Sequence, residues 1–147
     1  MLIAEFFGTF ILVFAGCGAI VANAAYAGAL GHSGVALAWG LVVMIMIYAF
    51  GNVSGAHMNP AVTLTFWLAK RFEGQRVLGY IFAQICGALL GALFLKVLFP
   101  SDTSLGSTLP HAGLWECFLM EALLSFILMF VIFGVSTGHQ EKGIMAG

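Results

Sequence analysis

Charged side chains are scarce in this sequence. Asp, Glu, Lys and Arg together make up 7% of its 147 residues, and none of them occurs between Phe6 and Ala69. A soluble domain carries about a quarter charged residues, which it needs to cover its surface. The formal net charge of −1 also leaves no excess of basic side chains to neutralise phosphates. These shortages exclude a nucleic-acid partner and an ordinary soluble enzyme, and we expect the protein not to be an enzyme.

Cysteine is scarce as well. The three cysteines, Cys17, Cys86 and Cys117, lie far apart, and each falls within an apolar run. An odd number of scattered cysteines suggests neither a disulfide framework nor a zinc site. Each is best interpreted as a small buried hydrophobic residue, and we expect neither a metal ion nor a cofactor.

Long apolar runs are what the sequence has in place of charge. Hydrophobic residues make up 62% of it, and a helix needs about 20 of them in succession to cross a bilayer core. Four runs predict transmembrane helices over residues 2–23, 35–53, 77–99 and 115–135. Glycine- and proline-rich segments at 28–34 and 100–114 separate two pairs of these helices, and the second segment is predicted to be an extracellular loop. The sequence therefore predicts an all-α membrane protein.

The few basic side chains indicate its orientation. Lys70, Arg71 and Arg76 lie between the second and third predicted spans, and Lys142 follows the fourth. Because lysine and arginine are enriched in cytoplasmic loops, we expect these segments on the cytoplasmic side. Counting back through the spans predicts a cytoplasmic N-terminus, in an integral protein of the plasma membrane.

One apolar segment is too short to cross. Residues 60–69 would extend about 15 Å as a helix, half of a bilayer core of about 30 Å. Asn59 is a good N-cap and Pro60 suits the first helical position, whereas residues 55–58 are expected to be extended. Extended backbone at membrane depth is tolerated only where it is buried in protein or lines a wet cavity. We therefore predict a re-entrant half-helix with its positive N-terminus at the membrane middle, the alternative being a helix on the membrane surface.

The first and fourth spans resemble each other. Shifting residues 4–18 by 116 positions onto 120–134 gives identical residues at Glu5, Phe10, Ile11, Leu12, Phe14 and Gly18. Because three crossings separate the two spans, they run in opposite directions, as in the inverted repeats of channels and transporters. Residues 1–99 would form the first repeat and 115–147 the start of the second. The counterpart of Val35 would fall at position 151, so we expect either a truncated fragment or a unit built from several chains.

Glu5 and its counterpart Glu121 are the unusual members of this repeat, because a carboxylate inside a membrane is costly. A carboxylate beside extended backbone can accept hydrogen bonds from N–H groups that lack helical partners. We predict that Glu5 is a structural brace for residues 55–58, and that Glu121 is likewise structural. The alternative is a proton relay, which would need a second titratable partner.

The segment from Ser54 to Thr63, SGAHMNPAVT, resembles the first Asn-Pro-Ala signature of the aquaporin, or major intrinsic protein, family. The resemblance implies a right-handed bundle of six helices and two half-helices, assembled as a homotetramer, through which water and small neutral solutes flow passively. This chain would hold four of the helices and one half-helix, an incomplete inverted repeat. In the family, the signature asparagine donates hydrogen bonds to the passing molecule. That role falls here on Asn59, with Pro60 and Ala61 completing the signature.

The same resemblance implies roles for neighbouring residues. The carbonyl groups of Gly55, Ala56 and His57 match the family's ladder of hydrogen-bond acceptors. The side chain of His57 has a second interpretation, as a pH gate or a metal ligand. Gln84 matches a packing residue of the family's third helix, which we group with the structural brace. Residues 143–147 resemble the opening of the family's fifth helix, which favours a fragment.

Two further segments resemble one branch of this family in particular. Residues 14–21 (FAGCGAIV) and 39–44 (WGLVVM) resemble the nodulin-26-like branch of the family and its bacterial relatives. Trp39 lies 20 residues before Asn59, where the second helix of the family contributes to the outer selectivity filter. Tryptophan at that position implies a pore in which a broad apolar ring faces the carbon edge of glycerol. The alternative is that Trp39 is a lipid-facing anchor.

The sequence thus predicts a passive membrane channel for water and small uncharged solutes such as glycerol, surrounded by membrane lipids. An ion-coupled transporter is a less favoured alternative, because only Glu5 and Glu121 are titratable groups at membrane depth. A non-conducting half-channel or fragment is a further alternative, because the second repeat is incomplete.

Overall fold

The structure is a computed structural model that describes residues 1–136, and every regular element in that range is a helix. The five helices are α1 (Leu2–Ala25), α2 (Gly31–Ser54), α3 (Pro60–Leu68), α4 (Gly74–Leu98) and α5 (Leu114–Val135). All of them except α3 are long and apolar enough to cross a membrane. These helices confirm the predicted all-α membrane architecture. Residues 143–147, with their resemblance to a further helix, lie outside the described residues.

The connection between α1 and α2 is shorter than the sequence predicts. Helix α2 begins at Gly31 rather than at Val35, within the glycine-rich segment that we expected to be a loop. The physical reason is Asn23, whose Oδ1 atom accepts hydrogen bonds from the N–H groups of Leu30 and Gly31 at 3.0 and 2.9 Å. N–H groups at a helix start lack partners within the helix, so these bonds stabilise an earlier start.

Helix α4 also begins earlier than predicted, at Gly74 instead of Val77. Glu73 lies just before the first turn, where a negative charge is favourable. Its carboxylate also pairs with the Arg76 guanidinium at 2.9 Å. This charged first turn extends the helix beyond the apolar run from which it was predicted.

Helix α1 lies between α2 and α4 and packs against both. Gly87 and Gly91 of α4 make the close approach to α1 possible. A Cβ atom at Gly87 would collide with the carbonyl oxygen of Phe6, and one at Gly91 would lie 3.0 Å from the carbonyl oxygen of Phe10. Small residues of this kind allow helix backbones to approach closely in membranes.

The short helix α3 and the loop before it fold back into this bundle. Val42 and Met46 of α2 are buried in one cluster with Ala56 and Met58 of the loop. Helix α3 packs against α4. Because the loop is buried among the long helices, the arrangement agrees with a re-entrant half-helix rather than a helix on a membrane surface.

Helix α5 makes few contacts with the rest of the described chain. None of its side chains is buried. Phe133, near its end, lies 5.0 Å from the ring of Phe66 in α3, and the Arg71 guanidinium lies 5.2 Å from the centre of the same Phe133 ring. These aromatic and cation–π contacts join α5 to the end of α3.

Candidate functional site

The loop between α2 and α3 has an unusual backbone. Gly55 ends α2 in the left-handed conformation, with φ of 87°. Ala56 and Met58 also have positive φ values, of 47° and 49°, although residues with a Cβ atom disfavour this region by about 1–2 kcal/mol each. Such a conformation persists only where surrounding contacts impose it. The loop must therefore be held by groups outside itself.

Glu5 holds the loop by accepting hydrogen bonds. Its side chain is fully buried, and its carboxylate accepts four hydrogen bonds. Two come from the backbone N–H groups of His57 and Met58, at 3.0 and 2.7 Å. The others come from the Ser54 hydroxyl at 2.6 Å and the Gln84 amide at 2.7 Å. A carboxylate has room for about four donors, so the ionised form of Glu5 is fully satisfied by this loop and its neighbours.

Gln84 connects the carboxylate to α3. Its Nε2 atom donates to Glu5 and, at 3.0 Å, to the hydroxyl of Thr63. The amide cannot be turned around, because its oxygen would then face the Glu5 carboxylate. In the resulting orientation, Oε1 of Gln84 is buried without a hydrogen-bond partner in the described part of the chain, which costs about 1–3 kcal/mol.

The Thr63 hydroxyl joins His57 to this network. Thr63 donates its single proton to the Asn59 carbonyl oxygen at 3.1 Å. It accepts from Gln84, and Nδ1 of His57 lies 3.2 Å from the same oxygen. Thr63 thus connects the His57 ring, Gln84 and the start of α3.

Aromatic rings enclose the His57 side chain. Phe66 stacks on the imidazole at 4.9 Å between ring centres, and Phe72 and Tyr80 approach it at 4.8 and 5.4 Å. The Tyr80 hydroxyl donates to the Ser54 carbonyl oxygen at 2.8 Å. The His57 ring is thus packed in place, and the same tyrosine ties the end of α2 to α4.

A cavity of about 470 Å³ opens beside this aromatic group. It is lined by the end of α2 and by the connection between α3 and α4, and its lining includes Gly55, His57, Arg71 and Arg76. The cavity therefore lies at the end of the bundle where the basic side chains gather. His57 is part of this lining, and its ring edge lies close to the left-handed turn at Gly55.

Asn59 begins the half-helix in the way that its sequence predicts. Its side-chain oxygen accepts a hydrogen bond from the Ala61 N–H group at 2.8 Å, and Pro60 occupies the first helical position. The side chain is exposed. Its NH2 group bonds to no acceptor within residues 1–136, so Asn59 uses its oxygen for the helix and keeps its amide protons available.

The carbonyl groups of the loop are available as well. The N–H groups of residues 56–58 all donate to Ser54 or Glu5. By contrast, no donor in the described chain bonds to the carbonyl oxygens of Gly55, Ala56 or His57. Ala56 and His57 are buried, and nearly all buried carbonyl groups in proteins are paired, so we expect their carbonyl oxygens to accept from a donor outside residues 1–136.

Trp39 lies further along α2, at the seam with α1. Its indole ring rests on Gly16, where an added Cβ atom would come within 2.6 Å of the ring. The ring is partly exposed, so one face is covered by α1 and the remainder is open. Trp39 takes no part in the hydrogen-bond network around Glu5.

Glu121 also lies apart from that network. It is exposed on α5, and none of the hydrogen bonds within residues 1–136 reaches it. The same residues 1–136 contain no group of three or more His, Cys, Asp or Glu side chains that could hold a metal ion.

Sequence reasoning missed three members of the network, Ser54, Thr63 and Tyr80. A signal was available for each. Ser54 and Thr63 are hydroxyl residues at the two ends of the signature, and a hydroxyl buried at membrane depth needs a partner. Tyr80 precedes Gln84 by four residues and therefore shares one face of α4 with it.

Comparison with known proteins places these observations in a family. The sequence profile described as Major intrinsic protein matches residues 1–146. The chain is similar to the probable aquaporin NIP4-2 of Arabidopsis thaliana, with 44% identity over 147 residues, which cover 99% of this chain and 52% of that protein. Aquaporin NIP1-1 of Oryza sativa subsp. japonica is 45% identical over the same shares of the two chains. Aquaporin NIP3-1 of Arabidopsis thaliana is 45% identical over 154 residues, which cover 99% of this chain and 48% of that protein.

The chain spans about half the length of the curated relatives that it matches. The family match over residues 1–146 includes the signature loop, the half-helix and the four apolar spans found within residues 1–136. The chain therefore belongs to the major intrinsic protein family.

Proposed function

We propose that the protein forms a passive membrane channel for water and small uncharged solutes. The observation that carries this proposal is the way in which the 55–59 loop uses its polar groups. The N–H groups of residues 56–58 donate to Glu5 and Ser54, while the carbonyl oxygens of residues 55–57 and the Asn59 amide protons have no partner within residues 1–136. A row of acceptors beside a donor can replace the water shell of a small polar molecule.

The same arrangement disfavours cations. The N-terminus of α3 carries about half a positive charge, and Asn59 lies at that end, with amide protons that have no acceptor within residues 1–136. The one carboxylate nearby, that of Glu5, is saturated by four donors and offers no site for a cation. A neutral molecule can exchange hydrogen bonds with both the carbonyl groups and the asparagine, whereas a cation would be repelled by the helix end.

We further propose that the preferred cargo is glycerol or a similarly small hydroxylated solute, with water as a lesser cargo. The support comes from Trp39, whose partly exposed indole ring offers a broad apolar surface at the α1–α2 seam. A polyol needs such a surface for its carbon edge and separate groups for its hydroxyls. In this proposal Trp39 contributes the apolar wall, and the carbonyl oxygens of Gly55, Ala56 and His57 accept from the hydroxyls.

We also propose a homotetramer in the plasma membrane with a cytoplasmic N-terminus. Basic residues gather at one end of the bundle, as expected for the cytoplasmic side. The outer faces of α4 and α5 expose large apolar side chains, such as Leu78 at 79% and Phe130 at 70%. Faces of this kind need lipid or protein to cover them.

Stopped-flow light scattering on proteoliposomes of the natural full-length protein tests the channel. We expect both glycerol and water permeability to exceed those of empty liposomes. Water flux without glycerol flux would contradict the solute preference but leave a water channel. No flux of either solute from folded protein would favour a non-conducting half-channel.

A further inference from the structure

Two arginine side chains, those of Arg71 and Arg76, line the cavity of about 470 Å³ at the basic end of the bundle. They differ in how their charge is balanced. The Nε atom of Arg76 pairs with the Glu73 carboxylate at 2.9 Å, and its Nη1 atom donates to the sulfur of Met1 at 3.4 Å. Arg71 has no carboxylate partner within residues 1–136. The charged side chains of the lining therefore leave one positive charge uncompensated.

The turn that ends α3 holds Arg71 in place. Its N–H group donates to the carbonyl oxygen of Phe66 at 2.9 Å. The N–H group of Lys70 donates to Trp67 at 2.9 Å, which completes a Schellman motif. The left-handed residue of such a motif is usually glycine, but here it is Lys70, with φ of 59°. The Arg71 guanidinium also lies 5.2 Å from the centre of the Phe133 ring, so both the backbone and the charged group are positioned.

The hydrogen-bond donors of Arg71 are unused. A guanidinium has five N–H donors in one plane, and none of those of Arg71 bonds to an acceptor in the described part of the chain. The cavity has further polar groups in the same condition. The hydroxyl oxygen of Ser136 is buried without a hydrogen-bond partner, and the exposed amide of Asn52 belongs to the lining. The lining thus offers an anion a guanidinium, a hydroxyl and an amide.

A phosphate group fits this lining better than a carboxylate does. Arginine matches the oxygens of a phosphate with two parallel N–H···O bonds. A phosphate group has three strong acceptor oxygens, enough for one donor each from Arg71, Arg76 and Ser136, whereas a carboxylate has two. The cavity is far larger than the volume of about 30 Å³ that one water molecule occupies. A phosphate group can therefore enter with part of its hydration shell.

We propose that this cavity binds a phosphate group through Arg71 and Arg76, and that the bound group lowers solute flux. The effect on flux rests on the channel function proposed above, because Gly55 and His57 also line the cavity and their carbonyl oxygens belong to the proposed solute path. A bound anion beside them takes up space through which a solute must pass. The phosphate group belongs either to a free phosphate ion or to the headgroup of a membrane lipid.

A matched pair of charge variants tests the site. Arg71→Gln removes a positive charge from the lining, whereas Lys70→Gln removes one from the adjacent residue, which is exposed and does not line the cavity. Isothermal titration calorimetry with inorganic phosphate, on the natural full-length protein in detergent, measures binding against sodium chloride of equal ionic strength. We expect Arg71→Gln to weaken binding about tenfold or more, the effect of losing hydrogen bonds to a charged group. Lys70→Gln should weaken it about twofold at most, because salt screens exposed charges.

A second pair of variants tests the cavity without changing Arg71. Asn52→Asp introduces a negative charge into the lining near the end of α2. Gln75→Glu introduces the same charge at an exposed position in the first turn of α4, outside the lining. Because like charges repel most strongly at short range, we expect Asn52→Asp to weaken phosphate binding about fivefold or more and Gln75→Glu to weaken it much less.

Two forms of phosphate identify the source of the ligand. Inorganic phosphate represents the free ion, and short-chain phosphatidic acid in mixed micelles, compared with phosphatidylcholine alone, represents a lipid headgroup. Tighter binding of phosphatidic acid than of inorganic phosphate, with loss of both in Arg71→Gln, would assign the site to a lipid. Similar affinities would assign it to the free ion. In proteoliposomes, the bound form should lower the glycerol permeability of the wild type about twofold or more and leave that of Arg71→Gln unchanged.

The outcomes separate this inference from the channel itself. Equal weakening by Arg71→Gln and Lys70→Gln would overturn the site, because the attraction would then come from the general positive charge of this end. Absence of binding by both forms of phosphate would overturn it as well. Binding that leaves glycerol permeability unchanged would overturn the effect on flux. A wild-type protein that binds phosphate but conducts neither glycerol nor water would overturn the proposed channel function and leave the phosphate site in place.

Discussion

The Nε2 atom of Gln84 lies 2.7 Å from a carboxylate oxygen of Glu5, a residue 79 positions earlier in the chain. This bond completes the set of four donors around Glu5 and joins α1 to α4. The same carboxylate holds the N–H groups of His57 and Met58, so three separate parts of the chain meet at one side chain. The left-handed backbone of the loop is therefore paired with a single acceptor at the centre of the bundle.

Replacing Glu5 by glutamine should lower stability more than transport. Glu5→Gln keeps one acceptor oxygen but turns an NH2 group toward groups that are themselves donors. Each buried donor left without an acceptor costs about 1–3 kcal/mol, so we expect a loss of about 2–5 kcal/mol. Thermal unfolding and size-exclusion chromatography in detergent measure the change. Glu121→Gln, at an exposed position on α5, is the control and should unfold like the wild type.

The flux of the same variant separates the two roles considered for Glu5. We expect transport per folded Glu5→Gln channel to change less than the folded yield. If the variant folds as well as the wild type and loses only a pH-dependent part of its flux, Glu5 is a proton relay and not a structural brace.

Two substitutions at Asn59 separate its cap from its donor. Asn59→Asp keeps the oxygen that caps α3 but loses the amide protons, whereas Asn59→Leu loses both. We expect both variants to lose most of their solute flux, and only Asn59→Leu to lose about 1 kcal/mol of stability with the cap. Liposome permeability and thermal unfolding give the two measurements. Wild-type permeability in either variant would mean that the pore does not pass this end of α3.

Gly16 and Gly40 form a pair that tests the position of Trp39. A Cβ atom at Gly16 would lie within 2.6 Å of the indole ring, whereas one at Gly40 meets nothing within 4 Å. Gly16→Ala should displace the ring and shift the ratio of glycerol to water permeability, and Gly40→Ala should leave the ratio unchanged. Trp39→Phe should shift preference toward water. Equal ratios in the Gly16 and Gly40 variants would favour a lipid-facing anchor at Trp39.

Gly87 tests the close packing of α1 on α4. Gly87→Ala places a Cβ atom against the Phe6 carbonyl oxygen, whereas Gly79→Ala, in the same helix, makes only ordinary contacts with Leu2. Overpacking of a tight contact costs about 1–3 kcal/mol, while alanine in place of an unhindered helical glycine gains up to about 1 kcal/mol. We expect a lower midpoint of thermal unfolding for Gly87→Ala and an equal or higher one for Gly79→Ala. Equal midpoints would show that the two helices can separate without cost.

The parts of the fold that depend on local chemistry could be predicted from the sequence. The four apolar runs identify the spans, and Asn59 followed by Pro60 identifies the start of the half-helix. Glu5 attracts attention because a carboxylate in an apolar run must find donors, and the extended loop must find acceptors. The cost of each unpaired polar group is enough to predict this pairing, without any knowledge of distances.

The parts that depend on contacts between distant residues could not be predicted. Nothing in the sequence near Asn23 indicates that its side chain would cap α2 from across a turn and move the start of that helix. Likewise, the position of Trp39 on Gly16 depends on the crossing of α1 and α2. The hydroxyl of Thr63 gains its importance only because Gln84, Asn59 and His57 converge on it.

The four donors of Glu5 also constrain the order of events while this protein is synthesised and inserted into the membrane. A ribosome that adds about 5–20 residues per second makes Gln84 about 4–16 s after Glu5, because 79 positions separate them. An unpaired charge at membrane depth costs about 2.5–3.5 kcal/mol. During that interval α1 carries a carboxyl group whose set of four donors is incomplete, because Ser54, His57 and Met58 lie 49, 52 and 53 positions after Glu5 and Gln84 comes last. The insertion machinery must therefore keep this carboxyl group hydrated or shielded from lipid until α4 emerges. Helix α1, although it is synthesised first, is then among the last helices to reach its final packing.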